Sequence, residues 1–175
     1  MLVTSRPDDA AAGAGDDAED VLALARTVGV LSPAWVQTGC VYAPQPGGAF
    51  ALLVMPGAPN GIKRHNTYHA TCTAVAPTSA LYAAYRSGGL TWHDFALRYL
   101  VELDAKRDGA LAQFVEQLCA VPARYGGVLL LGFRQAPGGN EALVRCPRRL
   151  LRAWLLNQVD ALPDVQRQRT QVHAC

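Results

Sequence analysis

The sequence predicts one layered α/β domain, a compact unit with a short central sheet flanked by helices. Three observations point there. The chain has 175 residues, half of them hydrophobic, which suits a single domain with one sizeable core. Short β-rich runs, Trp35–Tyr42, Phe50–Met55 and Val128–Phe133, alternate along the chain with stretches of helical spacing. In the clearest of these, Trp92, Phe95, Tyr99 and Leu103 recur at spacings of 3, 4 and 4. Strands and helices in one short chain pack as layers around a shared core.

Residues 1–19 read as a flexible arm, acidic and rich in alanine and glycine, with too little apolar surface to order itself. Residues 20–160 form the domain and 161–175 a polar tail. Acids at Asp16–Asp20 open a short helical pattern, Val21, Leu22, Leu24, Ala25 and Val28, closed by Gly29. Ala43–Gly48 is turn-forming and separates the first two strands. Residues 56–78 carry Pro56, Gly57, Pro59, Gly61 and Pro77 and read as a long loop, a length usually tied to function. Thr78–Arg86 is a short helix stopped by Ser87-Gly88-Gly89, and Thr91 is the N-cap candidate for the helix of Trp92. Leu111, Phe114, Val115 and Leu118 repeat the helical pattern. Gly126-Gly127 then opens the apolar run from Val128, read as a buried strand. Leu150, Leu151, Trp154 and Leu155 form the stripe of a last helix, with Pro147 in its first turn.

The net charge of +2 conceals an asymmetry. Six acids against Arg6 in residues 1–20 leave 15 bases and 8 acids in residues 21–175, a net +7. A basic body suits an anionic partner, although a solvated surface is the plainer reading. Five cysteines without a CxxC pair do not form a disulfide framework. The four histidines never meet two cysteines at ligand spacing, and His65-x-x-x-His69 with Cys72 lies among poor helix formers, so no metal and no cofactor is expected. The apolar runs fall short of the ~20 residues that cross a bilayer, and the acidic start is unlike a signal peptide. The expectation is a cytoplasmic protein, or one within a soluble intracellular particle, with no membrane partner.

No catalytic arrangement is visible by spacing. Gly138-Gly139 lies between a strand and a helix, where phosphate cradles occur, but neither GxGxxG nor GxxxxGK[ST] is present. Arg145, Arg148, Arg149 and Arg152 surround the start of the last helix, with Arg148 and Arg152 on one face at i, i+4. That patch suits phosphate, nucleic acid or an acidic protein surface, and equally a solvated helix face. Glu102, near the aromatic face of its helix, is either a buried functional acid or a rim carboxylate.

One stretch is distinctive: Ala76-Pro77-Thr78-Ser79-Ala80-Leu81, then Trp92-His93-Asp94-Phe95, Arg98-Tyr99 and Glu102-Leu103. It resembles the YeaO-like family, domain of unknown function 488, in which "APS-x-x-L" precedes "W-x-x-F-x-x-x-Y-x-x-E-L". Val128–Leu131 and Asn140-Glu141-Ala142 look like that family's buried strand and "N-x-A" loop. Val41-Tyr42 with Phe50–Val54 resembles its opening hairpin. The resemblance covers roughly residues 40–156 and implies a compact α/β sandwich, with the loop after the second strand and the Asn140 loop facing one cleft. Where the family carries a pattern close to "L-V-D-R-x-W-P-R-G", this chain has Met55, Pro56 and Asn60 for Asp, Arg and Arg, and Ala51 for another Arg. Only Lys63 and Arg64 are nearby charges that could substitute. A kept core with an altered cleft implies a non-catalytic structural or interaction component whose partners are other protein subunits of an assembly. The alternative is a nucleotide- or nucleic-acid-linked enzyme or binder using Lys63, Arg64, Asn140 and the Arg145–Arg152 patch.

Overall fold

Val128–Gly132 is buried at every position, and the sheet is built on it. In the computed structural model, which describes residues 31–43, 47–57, 60–62, 67–133, 145–159 and 162, this strand is β4. It lies between β1 (Val36–Cys40) and β2 (Phe50–Leu53), and β2 in turn pairs with a two-residue edge strand, β3 (Ala70–Thr71). The order is β1-β4-β2-β3 and every pairing is parallel. A strand buried on both faces needs apolar residues throughout, which is what β4 supplies.

Two expectations change here. The first two strands are not a hairpin: each pairs parallel with β4, which separates them. The most apolar strand takes the centre of the sheet, although it comes last in sequence. The long loop predicted over residues 56–78 also contains β3, held to β2 by His69 N–H to Ala51 O (2.8 Å) and Cys72 N–H to Leu53 O (2.9 Å). The arm, the helix expected at Asp16–Gly29, the Gly138-Gly139 turn and Lys63, Arg64 and Asn140 lie outside the described residues.

Between β3 and β4 run α1 (Ser79–Arg86), α2 (Trp92–Ala105), a π-helical turn (Arg107–Leu111) and α3 (Ala112–Cys119); α4 (Pro147–Leu155) follows β4. Thr91 caps α2 as the sequence predicts, and Thr78, expected as the first residue of its helix, is instead the N-cap of α1. Thr78 Oγ1 accepts from Leu81 N–H at 3.3 Å, and Thr91 Oγ1 from Asp94 N–H at 3.1 Å. Pro147 occupies the first turn of α4, where its missing N–H costs nothing. Alternation along the strands divides the core. Val128 and Leu130 face the cluster to which α1, α2, α3 and α4 all contribute. Leu129 and Leu131 face a smaller cluster with Ala51, Met55 and Tyr68.

The distinctive α2 residues hold the fold together. Tyr99 is fully buried and its hydroxyl donates to Val75 O at 2.6 Å. Glu102 accepts from Thr78 N–H (2.9 Å) and Thr78 Oγ1 (2.7 Å), so its carboxylate caps α1 from outside. Lys106 donates to Ala76 O at 2.8 Å. Three residues on one face of α2 and its C-cap therefore fasten the segment between β3 and α1. Tyr99→Phe leaves the Val75 carbonyl without that donor, an expected loss of about 1–3 kcal/mol in urea unfolding. The same variant tests an alkaline effect. Burial, then the neighbouring charge of Glu102 and the sulfurs of Cys146 and Cys72, raise the Tyr99 phenol well above its ordinary 10.0. The folded chain keeps that proton where the unfolded chain releases it, so this stabilisation is complete below pH 10 and declines as pH rises towards the folded value. Tyr99→Phe should lack this decline.

Candidate functional site

The strand registers bring four residues into one row at the C-terminal edge of the sheet. Cys40 pairs with Gly132. One position beyond the last β2–β4 and β2–β3 partners, Val54 N–H still donates to Leu131 O (3.2 Å) and Cys72 N–H to Leu53 O. The row therefore runs Cys40, Gly132, Val54, Cys72, on the face covered by the helices. Ligands of open parallel sheets bind beyond this edge.

Gly132 is glycine for a steric reason. A Cβ there would stand 2.6 Å from Cys146 Sγ, 2.9 Å from Arg148 Nη1 and 3.3 Å from Arg148 Cδ. The missing side chain leaves a pit that the start of α4 fills. Cys146 is the N-cap residue of that helix and is buried. Arg148, two residues on, is 0% exposed and donates from Nη1 to Cys146 Sγ at 3.1 Å. It is the only buried charged residue among those described. Cys40 Sγ, also buried, lies 3.7 Å from Phe133 O.

The four arginines predicted to form a surface patch separate. Arg145 is exposed and Arg149 half-buried. The shared face of Arg148 and Arg152 is turned inward, which overturns the solvated-face reading for that pair. Arg152 donates to Val36 O (2.7 Å) and Pro33 O (3.2 Å), tying α4 to the entry of β1, and burial lowers its pKa. Its guanidinium is structural. Arg148 alone is carried into the pit. Sequence reasoning missed Cys146, which has no spacing signal of its own. It also missed the burial of Arg148, although position 148 is in phase with Leu151 and Leu155 of the apolar stripe.

The cleft implied after β2 looks different. Met55 and Ala51, standing where charges were expected, are buried in the cluster on the opposite face, packed with Leu53 and Tyr68. Pro56 is half-buried and Asn60 exposed. Among the described residues no group of three His, Cys, Asp or Glu is placed to hold a metal ion, and no helix is long and apolar enough to cross a membrane.

A family model described as the active DUF488-N3 subclade matches residues 36–159, well over half of the chain. The chain belongs to the DUF488 family. The matched span runs from the first residue of β1 past the end of α4, so the DUF488 unit includes the whole sheet and the pit above Gly132. No curated protein and no solved structure matches the chain.

Proposed function

We propose that this DUF488 domain is an enzyme acting on a phosphate-bearing substrate, a nucleotide or nucleic acid, beyond the C-terminal edge of the sheet, where the start of α4 packs over Gly132. The observation that carries the reading is Arg148, a fully buried guanidinium 3.1 Å from a buried thiol. Burying a cation costs several kcal/mol that hydrogen bonds must offset, and here one of them holds the guanidinium against the Cys146 sulfur. Phosphate oxygens fit a guanidinium fork, which accepts two oxygens side by side. Arg145 and Arg149 extend the positive field outward, and Lys63, Arg64 and Asn140 remain proposed contributors. Cys146 Sγ is the nucleophilic atom within reach of the bound group. The description of the matched subclade as active supports catalysis.

The test is binding of inorganic phosphate, a mononucleotide and a single-stranded oligonucleotide to the whole chain, with Arg148→Met alongside. Met fills similar volume without charge, so folding should be retained or improved while phosphate affinity falls at least about tenfold. A folded Arg148→Met protein that binds as the parent does would overturn the reading.

A structural or interaction role in an assembly is favoured by one separate observation. Val101 is 68% exposed on α2, beside an open groove of about 520 Å³ that Leu81, Leu90 and Leu97 line. An apolar side chain of a partner protein would cover it. Gradient sedimentation of a native lysate separates the two roles: a megadalton particle supports the assembly, and a free species near 18.7 kDa speaks against it.

A further inference from the structure

We propose that the outward face of α2 is a homodimer interface, on which a second copy of this chain packs antiparallel about a two-fold axis level with Leu100.

Val101 is one of only two large apolar side chains left exposed among the described residues, and the more exposed of them at 68%. It stands at the lip of the open groove of about 520 Å³ between α1 and α2. Leu81 and Ala84 of α1, Leu90 of the turn and Leu97 of α2 form its apolar walls, and Arg98 and Glu102 line it from α2. A projection and a recess therefore lie on one patch. An isologous contact requires this, because the same surface must serve both partners.

Charge selects the occupant. Arg98 and Glu102 are four residues apart, so they share one side of the helix, about 6 Å apart along its axis. Two such helices laid antiparallel, with the two-fold level with Leu100, bring Arg98 of each copy opposite Glu102 of the other. Arg98 is exposed and the Glu102 side chain is 22% exposed, so both ends are within reach. Each Glu102 oxygen accepts one bond from Thr78, and a carboxylate has lone pairs for more. The same register sets Val101, one residue from the axis, beside its own copy at the centre, with the exposed Ala105 over the far end of the groove. A parallel arrangement would set Arg98 against Arg98, and those like charges would repel. Covering the apolar groove supplies most of the affinity, while the two rim ion pairs fix the register. This inference rests on the reading of the groove as an interface and names its partner; it is independent of the phosphate reading.

Sedimentation equilibrium of the purified whole chain tests it, with a reductant present so that the exposed Cys119 forms no cross-link. The expected result is a reversible equilibrium between 18.7 kDa and twice that mass. Its dissociation constant should be on the order of 10 μM, the weak range that suits a contact built on one helix face. Val101→Glu places an unpaired charge at the centre and should weaken the dimer at least about 100-fold. Arg98→Glu sets like charges opposite each other and should weaken it about tenfold, while Arg98→Lys keeps it. Both positions are exposed, so the urea midpoints should not move, and Gln113→Glu on the exposed side of α3 is the neutral control. A parent chain that stays at 18.7 kDa far above that concentration overturns the proposal, as does a dimer that survives both Val101→Glu and Arg98→Glu unchanged. Gradient sedimentation of native lysates carrying the parent or Val101→Glu separates this failure from that of the interface reading. A purified monomer whose large particle is lost on Val101→Glu shows that the groove holds a different protein, so the second copy fails and the interface stands. A purified monomer whose migration in lysate ignores Val101→Glu overturns both.

Discussion

Phe95→Ala should cost about 3–5 kcal/mol of unfolding free energy, among the larger single-residue losses this fold can show. Phe95 is 0% exposed and sits at the centre of an aromatic cluster. Its ring stacks on Trp92 (5.4 Å between centroids) and Tyr99 (6.0 Å), meets Tyr85 at 4.8 Å, and receives the edge of Tyr82 at 6.4 Å. Truncation removes the apolar transfer term and leaves a cavity walled by rings that cannot collapse into it, because Tyr99 is fixed by its bond to Val75. The loss should appear as a lower urea midpoint with an unchanged slope, since the amount of surface exposed on unfolding stays nearly constant. A loss near 1 kcal/mol, well under the range for such truncations, would mean that α1 and α2 close over the gap. The aromatic cluster would then be looser than its geometry indicates.

That result would also bear on what the family signature is for. Trp92, Phe95, Tyr99, Glu102 and Leu103 are distinctive in the sequence, and each serves the fold by stacking, by filling the core or by fastening the segment before α1. The Thr91 cap, the aromatic face of α2 and the buried apolar strand were readable because they follow from local rules. A threonine that accepts from an N–H three residues on, a 3-4-4 spacing and a run of valine and leucine residues each act within one element.

The sheet order was not readable in that way. β1, β2 and β4 are joined by pairings between residues far apart in sequence, and no periodicity specifies that the last strand takes the central place. The two-residue β3 is shorter than any alternating pattern, so it disappears within a proline- and glycine-rich loop. The hairpin expectation failed for the same reason: two adjacent β-rich runs with a turn between them fit a hairpin equally well until the stronger apolar strand intervenes.

The site was harder to see because its two central residues work against their type. Arginine reads as a surface residue, and a single cysteine carries no spacing information. Position 148 nonetheless shares a helical face with Leu151 and Leu155, so the phase of the stripe marks it as buried. Residue type points outward there and helical phase points inward, and phase prevails. The resemblance points to the loop after β2, where Met55 is in fact core on the opposite face. Charged residues altered there therefore say nothing about the pit, which is walled by Gly132, Cys146 and Arg148.

Gly132→Ala is the substitution that separates the pit from the fold. The new Cβ would meet Cys146 Sγ at 2.6 Å and Arg148 Nη1 at 2.9 Å. The guanidinium is the far end of a flexible chain and can withdraw, but the Cys146 side chain is short and tied closely to the backbone that begins α4. Relief requires a rotamer change at Cys146 or a shift of the helix start, an expected cost of about 1–3 kcal/mol. Phosphate affinity should fall at least about tenfold, because the donor groups no longer converge. Gly127→Ala is the control. Its Cβ would meet the Trp35 carbonyl oxygen at 2.6 Å, a backbone atom at the other end of β4 that can move only with β1. That change should destabilise at least as much, while folded molecules keep their affinity for phosphate and the pit keeps its geometry. Equal loss of affinity in the two variants, scaled to the folded fraction, would show that binding tracks the sheet as a whole and not the pit. Selective loss at Gly132 would place the ligand where glycine, thiol and guanidinium meet.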